Sequence, residues 1–285
     1  MAQPMKKLAL SEEQASRLRP ITVGVPLRSF PLIGKETLVE ADKDVLPVRR
    51  FTFGYPSGRC LGFNLGRGEC LKIVVPGITK PRSYSPTSDP SREGSFDLTI
   101  KIYKGGRCSE WLDSLSLGQP VRMIGPLPLK PALPLYNPGT HVVIIALGVG
   151  ITEGFPVLAA ELERDSNVKV TLVHALRYER ECIFVDEIQN HVDKYGDRFE
   201  MKRVFSREKV ESCHKGHVDA TFLHKCAIDE GGHKTRFLVV GTKEMIRSVW
   251  ASLKAAGYSH RKHALLRKPL KPMLVWVAKS DAEKR

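Results

Sequence analysis

A chain of 285 residues, 42% of them hydrophobic, is long enough for two ordinary domains with their own cores and does not have the composition of a disordered protein. No run approaches the roughly 18 consecutive apolar residues of a membrane-spanning helix, and six cysteines scattered without a CxxC pair argue for reduced thiols rather than a disulfide framework. The net charge of +14 favours acidic partners, but the basic residues are spread over the whole chain with no nucleic-acid motif, so no nucleic acid is expected.

Residues 1–30 read as an N-terminal extension without a signal-peptide core. Lys6, Lys7, Arg17 and Arg19 with leucines between them leave a mitochondrial presequence open beside a short surface helix capped by Ser11. The expected location is cytoplasmic or mitochondrial, soluble or peripheral, and not secreted. Over 31–130, short apolar or alternating runs predict strands at Glu40–Phe53, Cys70–Val75, Phe96–Tyr103 and Pro120–Ile124, separated by Gly, Pro and Ser clusters. Such spacing predicts an antiparallel β-barrel, with one helix that Ser109 is expected to cap. Prolines from Pro126 to Pro138 mark a linker, placed at 131–140.

Beyond it the pattern changes. Strands are predicted at His141–Leu147, Val168–His174, Arg198–Phe205 and Phe237–Val240, and helices at Glu153–Arg164, Asp186–Lys194, Ala220–Cys226 and Glu244–Ala256. This alternation over 141–266 implies βαβ units on a parallel sheet. Cys213, His214, His217, His224 and Cys226 fit no standard zinc spacing, and no metal site is expected. The basic run from His260 to Lys271 leads into a C-terminal extension, 267–285, that is either a solvated tail or a dock for an acidic protein.

Three blocks of the first half carry chemistry. Arg82-Ser83-Tyr84-Ser85-Pro86-Thr87 is followed by Ser95 to Tyr103 and then by Gly105-Gly106-Arg107-Cys108-Ser109. In this order they resemble the flavin-contacting blocks of the ferredoxin–NADP reductase superfamily, cytochrome b5 reductase above all, and the likeness runs from about Pro31 to Leu266. The resemblance implies FAD held by Arg82, Tyr84, Ser85, Lys101, Tyr103, Gly105, Gly106, Cys108 and Ser109. A guanidinium can grip pyrophosphate oxygens in a fork, and backbone N–H groups at a helix start favour phosphate. Gly148-Val149-Gly150-Ile151-Thr152 resembles the family's dinucleotide loop. Gly241 and Met245, read as a core methionine, match its second nucleotide block. Phe205-Ser206-Arg207-Glu208 is similar to the stretch by which NADPH-using members hold the 2′-phosphate, with Arg177 and Arg180 as further candidates.

The resemblance implies a two-domain FAD-dependent NAD(P)H oxidoreductase using NADPH or NADH, in which hydride passes to the flavin and electrons leave singly to an acidic acceptor such as a cytochrome b5-like protein. Several positions depart from the family pattern: Leu147 and Val149 replace small or polar residues, Glu153 and Thr242 stand where the family has proline, and Val240 stands where it has cysteine. They motivate an alternative, a flavin-holding scaffold subunit of a larger complex with impaired nucleotide oxidation.

Overall fold

The computed structural model describes residues 19–20, 27–63, 69–127, 140–164, 167–225 and 235–259. The readings made for the helix after Ser11, for nearly all of the linker and for the basic stretch beyond 259 lie outside them. The described chain forms an antiparallel barrel followed by a doubly wound parallel sheet, the architecture that the sequence implies.

The barrel strands are β1 (Leu27–Val39), β2 (Val48–Gly54), β3 (Cys70–Val74), β4 (Arg82–Tyr84), β5 (Ser95–Lys101) and β6 (Pro120–Leu127). They run in the order β4-β3-β6-β1-β2-β5, every pairing antiparallel. A bridge between Pro86 and Leu98 joins the ends, and the Thr87 N–H donates to the Asp97 carbonyl at 2.9 Å. Closure therefore lays the Arg82–Tyr84 strand beside β5. Alternation fills the interior, with Phe51, Phe53, Phe96, Leu98 and Ile100 buried together. Phe96 stacks on Phe53, with ring centroids 5.5 Å apart.

Two expectations for the barrel change. Strand β1 starts at Leu27, inside the stretch read as an N-terminal extension. The run predicted from Glu40 becomes strand only at Val48. Between them the Asp42 carboxylate accepts from the Asp44 and Val45 N–H groups at 2.8 and 2.9 Å, a local turn that competes with a ladder. Helix α1 (Arg107–Ser114) follows the barrel strand β5, and its N-cap is Gly106, not Ser109. Ser109 lies within the first turn, where its hydroxyl donates to the Gly106 carbonyl and accepts from the Tyr103 N–H.

In the second domain β7 (His141–Leu147), α2 (Ile151–Arg164), β8 (Lys169–Leu176), α3 (Val185–Tyr195), β9 (Phe199–Phe205), the short β10 (His214–Lys215), α4 (Ala220–Lys225), β11 (Thr235–Val240) and α5 (Lys243–Ala255) follow in turn. The sheet order is β10-β9-β8-β7-β11, all parallel. Strand β7 is buried on both faces. Val142, Ile144 and Ala146 pack toward α2 and α3, while Val143, Ile145 and Leu147 pack toward α4 and α5. The order reverses between β7 and β11, which opens a crevice at their carboxyl ends.

The domains share apolar surface. Val39, Val45 and Val48 of the barrel belong to the same buried cluster as Ile183, Phe184 and Ile188 of the sheet domain. Among the described residues, three ion pairs cross the same boundary: Arg50 to Glu187 at 2.7 Å, Arg180 to Asp42 at 2.7 Å and Lys101 to Glu181 at 3.1 Å.

Candidate active site

A cleft of about 770 Å³ lies between the barrel and the carboxyl ends of the parallel strands. That is the size of a pocket for a cofactor or similar ligand. Arg82, Tyr84, Lys101, Tyr103 and Ser109 line its barrel wall. Gly148, Gly150 and Thr152 after β7, Ser206 and Arg207 after β9, and Gly241 and Met245 after β11 line the other. Residues far apart in sequence thus converge on one cleft. Ser85, Gly105, Gly106 and Cys108 do not line the cleft.

On the barrel wall, the extended backbone of β4 and β5 sets which side chains face the cleft. Tyr84 is half-buried and packs against the barrel core. Ser85, just behind it, is buried with its hydroxyl lacking a partner among the described residues. Gly106 has no room for a Cβ, which would sit 2.4 Å from the Ser109 hydroxyl and 2.7 Å from the Tyr103 carbonyl. The Gly105 N–H is taken by the Glu110 carboxylate at 2.8 Å and that of Gly106 by the Tyr103 carbonyl at 2.8 Å. Neither glycine therefore offers its own N–H to a phosphate. No side chain caps α1, and the Glu110 carboxylate stands in its first turn, where it suits the positive end of the helix dipole.

Part of the sheet wall is a glycine loop. Gly148 adopts φ +58, and a Cβ on Gly150 would lie 2.6 Å from the Val240 carbonyl oxygen. These two glycines are what let the loop turn tightly against the end of β11. A third residue, with no motif to mark it, holds the loop from below. His174 of β8 is 1% exposed, and its Nε2 donates to the Gly148 carbonyl at 3.1 Å. Burial drives its pKa down to about 4 against the opposing pull of that hydrogen bond, so the ring is neutral at physiological pH.

Several charges differ from the sequence expectation. Lys101, expected to serve the flavin phosphates, instead donates to Glu181, a cleft residue whose side chain is 7% exposed. Arg177 holds the same carboxylate with Nε at 3.1 Å and Nη2 at 3.3 Å. Arg180 turns away to Asp42 and does not line the cleft. Glu153 is 3% exposed and lines the cleft from the first turn of α2. Met245 is no core residue: it is 41% exposed at the cleft. Among the described residues no group of His, Cys, Asp and Glu could hold a metal ion.

The comparisons with known proteins agree with this geometry. Residues 36–129 match the family described as the oxidoreductase FAD-binding domain, and residues 144–250 match the oxidoreductase NAD-binding domain. NADH-cytochrome b5 reductase 1 of Mycosarcoma maydis is 27% identical over 252 residues, covering 86% of this chain and 74% of that one. Nitrate reductase [NADH] of Spinacia oleracea is 33% identical over 217 residues, covering 68% of this chain but only 23% of that much longer protein. Among solved structures, the cytochrome b5 reductase domain of Ulva prolifera nitrate reductase superposes with a TM-score of 0.67 at 22% identity, over 85% of this chain and 96% of that one.

The chain is an FAD-dependent NAD(P)H oxidoreductase: it joins an oxidoreductase FAD-binding domain to an oxidoreductase NAD-binding domain, and its relatives include NADH-cytochrome b5 reductases. The residues present fit the cofactors: Arg82 brings positive charge to the barrel wall, Tyr84 brings an aromatic face, and the glycine loop after β7 leaves backbone room for a dinucleotide. Among the described residues, no helix is long and apolar enough to cross a membrane.

Proposed function

We propose that this reductase takes its electrons from NADPH in preference to NADH and passes them singly to an acidic one-electron acceptor, such as a cytochrome b5-like protein. FAD, when bound, supplies the conversion of a two-electron hydride into single electrons. The chain's own residues bind and orient. Arg82 would hold the flavin pyrophosphate, and Tyr84 would lie against the flavin ring. Thr152, whose hydroxyl donates to the Val149 carbonyl at 3.0 Å, stiffens the loop on which the nicotinamide dinucleotide would sit.

One observation carries the choice of NADPH. Ser206 and Arg207 stand at the carboxyl end of β9 and line the cleft, and the Arg207 guanidinium has no ion pair among the described residues. A hydroxyl and an uncommitted guanidinium suit a phosphate dianion far better than a ribose hydroxyl. The acceptor reading rests on the net charge of +14 and on the b5 reductases among the relatives.

The test is anaerobic mixing of the FAD-loaded chain with NADPH or NADH, following loss of the flavin's visible absorbance. NADPH is expected to bleach it with the higher kcat/KM. Arg207→Gln should cost NADPH roughly tenfold and leave NADH within about twofold. Equal losses for both nucleotides would sink the NADPH reading. Flavin that stays oxidised with either one would instead place the chain among scaffold subunits.

A further inference from the structure

Lys101 reaches out of barrel strand β5, and Arg177 follows the sheet strand β8. Both line the cleft and both close on the carboxylate of Glu181. Of the three, Glu181 is the most buried, its side chain 7% exposed against 13% for Lys101 and 42% for Arg177. The carboxylate is therefore a built counter-ion inside the cleft, shared between cations of two domains. Arg177 also borders the end of β9, because the Arg207 N–H donates to the Arg177 carbonyl at 3.0 Å. The two arginines thus leave neighbouring strand ends side by side, one pointed at an internal anion and the other without an ion pair among the described residues.

We propose that Glu181 competes with the phosphates of the pyridine dinucleotide for Arg177 and Lys101. The inference rests on the dinucleotide site itself and not on the preference for NADPH. A dinucleotide phosphate entering the cleft meets two cations already neutralised, so it either binds through other groups or displaces the carboxylate. Displacement exchanges one charge-assisted pair for another, and its net cost is the loss of Glu181's partners in a nearly buried position. Glu181 thereby weakens nucleotide binding and, since Lys101 belongs to the barrel, ties that binding to the contact between the domains. A residue that served only to join the domains would have the opposite signature, because its removal would loosen the cleft and weaken every ligand.

Isothermal titration of the full, FAD-loaded chain with NADP⁺, NAD⁺, 2′-AMP and 5′-AMP separates these cases. Glu181→Gln keeps the shape, removes the charge and releases both cations, and is expected to tighten NADP⁺ about fivefold, the gain from one partly exposed charge-assisted bond. Glu181→Asp, one methylene shorter and unable to span both cations, should tighten it about twofold and serves if the glutamine variant does not fold. Adding Arg177→Gln to either variant should remove the gain. A gain for 2′-AMP alone locates the competition at the 2′-phosphate, and a gain for both mononucleotides extends it to the 5′-phosphate; either result supports the proposal. Unchanged or weaker binding of all four ligands by both Glu181 variants would overturn it. The NADPH preference is read separately, from the ratio of NADP⁺ to NAD⁺ affinity in the unsubstituted chain.

Discussion

On the barrel side of the cleft the groups that face a ligand are side chains: Arg82, Tyr84, Thr99 and Lys101, presented by the period of two along β4 and β5. On the sheet side, beside charged side chains such as Arg177 and Arg207, part of the wall is bare backbone at Gly148, Gly150 and Gly241, with strand ends packed so closely that a Cβ on Gly150 would sit 2.6 Å from a carbonyl oxygen. The two walls should therefore fail differently. A side-chain wall loses one contact at a time and keeps its shape. The glycine loop has no side-chain contact to delete, and it loses its shape when an atom is added.

The largest expected effect is on the glycine loop. Gly150→Ala forces the loop away from Val240, at a cost of about 3 kcal/mol, and should abolish measurable NADP⁺ binding while the protein still takes up FAD. Titration of the FAD-loaded variant checks this, and tight NADP⁺ binding would erase the contrast between the walls. Next comes Arg82→Gln on the barrel wall, expected to weaken FAD roughly thirtyfold through loss of a charged fork, with the melting curve of the flavin-free protein nearly unmoved. An equal loss of flavin-free stability would make Arg82 a structural residue.

The smallest effect sharpens the barrel side alone. Burial pushes the Asp97 pKa up, but the bidentate hydrogen bond from Arg92 (2.7 Å to each oxygen) and the Thr52 hydroxyl outweigh it, and the pKa lies below its ordinary 3.8. A folded-state pKa lower than the unfolded one contributes stability that is full above about pH 4 and is lost as pH falls through the folded value. Arg92→Met should thus lower the stability by about 1 kcal/mol at pH 7, with the deficit shrinking below pH 4. Thermal melts of both proteins across that range measure it; a deficit that does not change with pH would mean the pair acts by packing alone.

The sheet domain was the more legible half. Strand β7 appears where the run His141–Leu147 predicts it, because a parallel strand buried on both faces is a continuous apolar stretch. Strand β1 is hidden by Pro31, by Gly34 and by register shifts at Leu32/Gly34 and Thr37/Val39, which break the alternation that a strand otherwise shows. The same holds for the site. Arg82 and Gly150 are visible because their neighbours form local patterns. Glu181 is not, since its partner Lys101 lies 80 residues away and only barrel closure and domain packing bring the two together. His174 carries no motif at all: a histidine in the middle of an apolar strand reads as core, and only the fold reveals the carbonyl above it. Ser109 misled because a serine before Glu110 looks like a cap, while the glycine three positions earlier fills that role.

The valines at the barrel's edge carry a last consequence. Val39, Val45 and Val48 lie in the hydrophobic cluster of the other domain, so the boundary between the domains is the interior of a single core. Severing the chain between Leu127 and Thr140 would leave a barrel displaying bare valines and a sheet domain missing part of its packing. Neither half should melt on its own as a sharp transition, and the intact chain should unfold as one cooperative unit. A protein assembled in this way cannot trade its flavin module for another by recombination at the linker without also redesigning that seam.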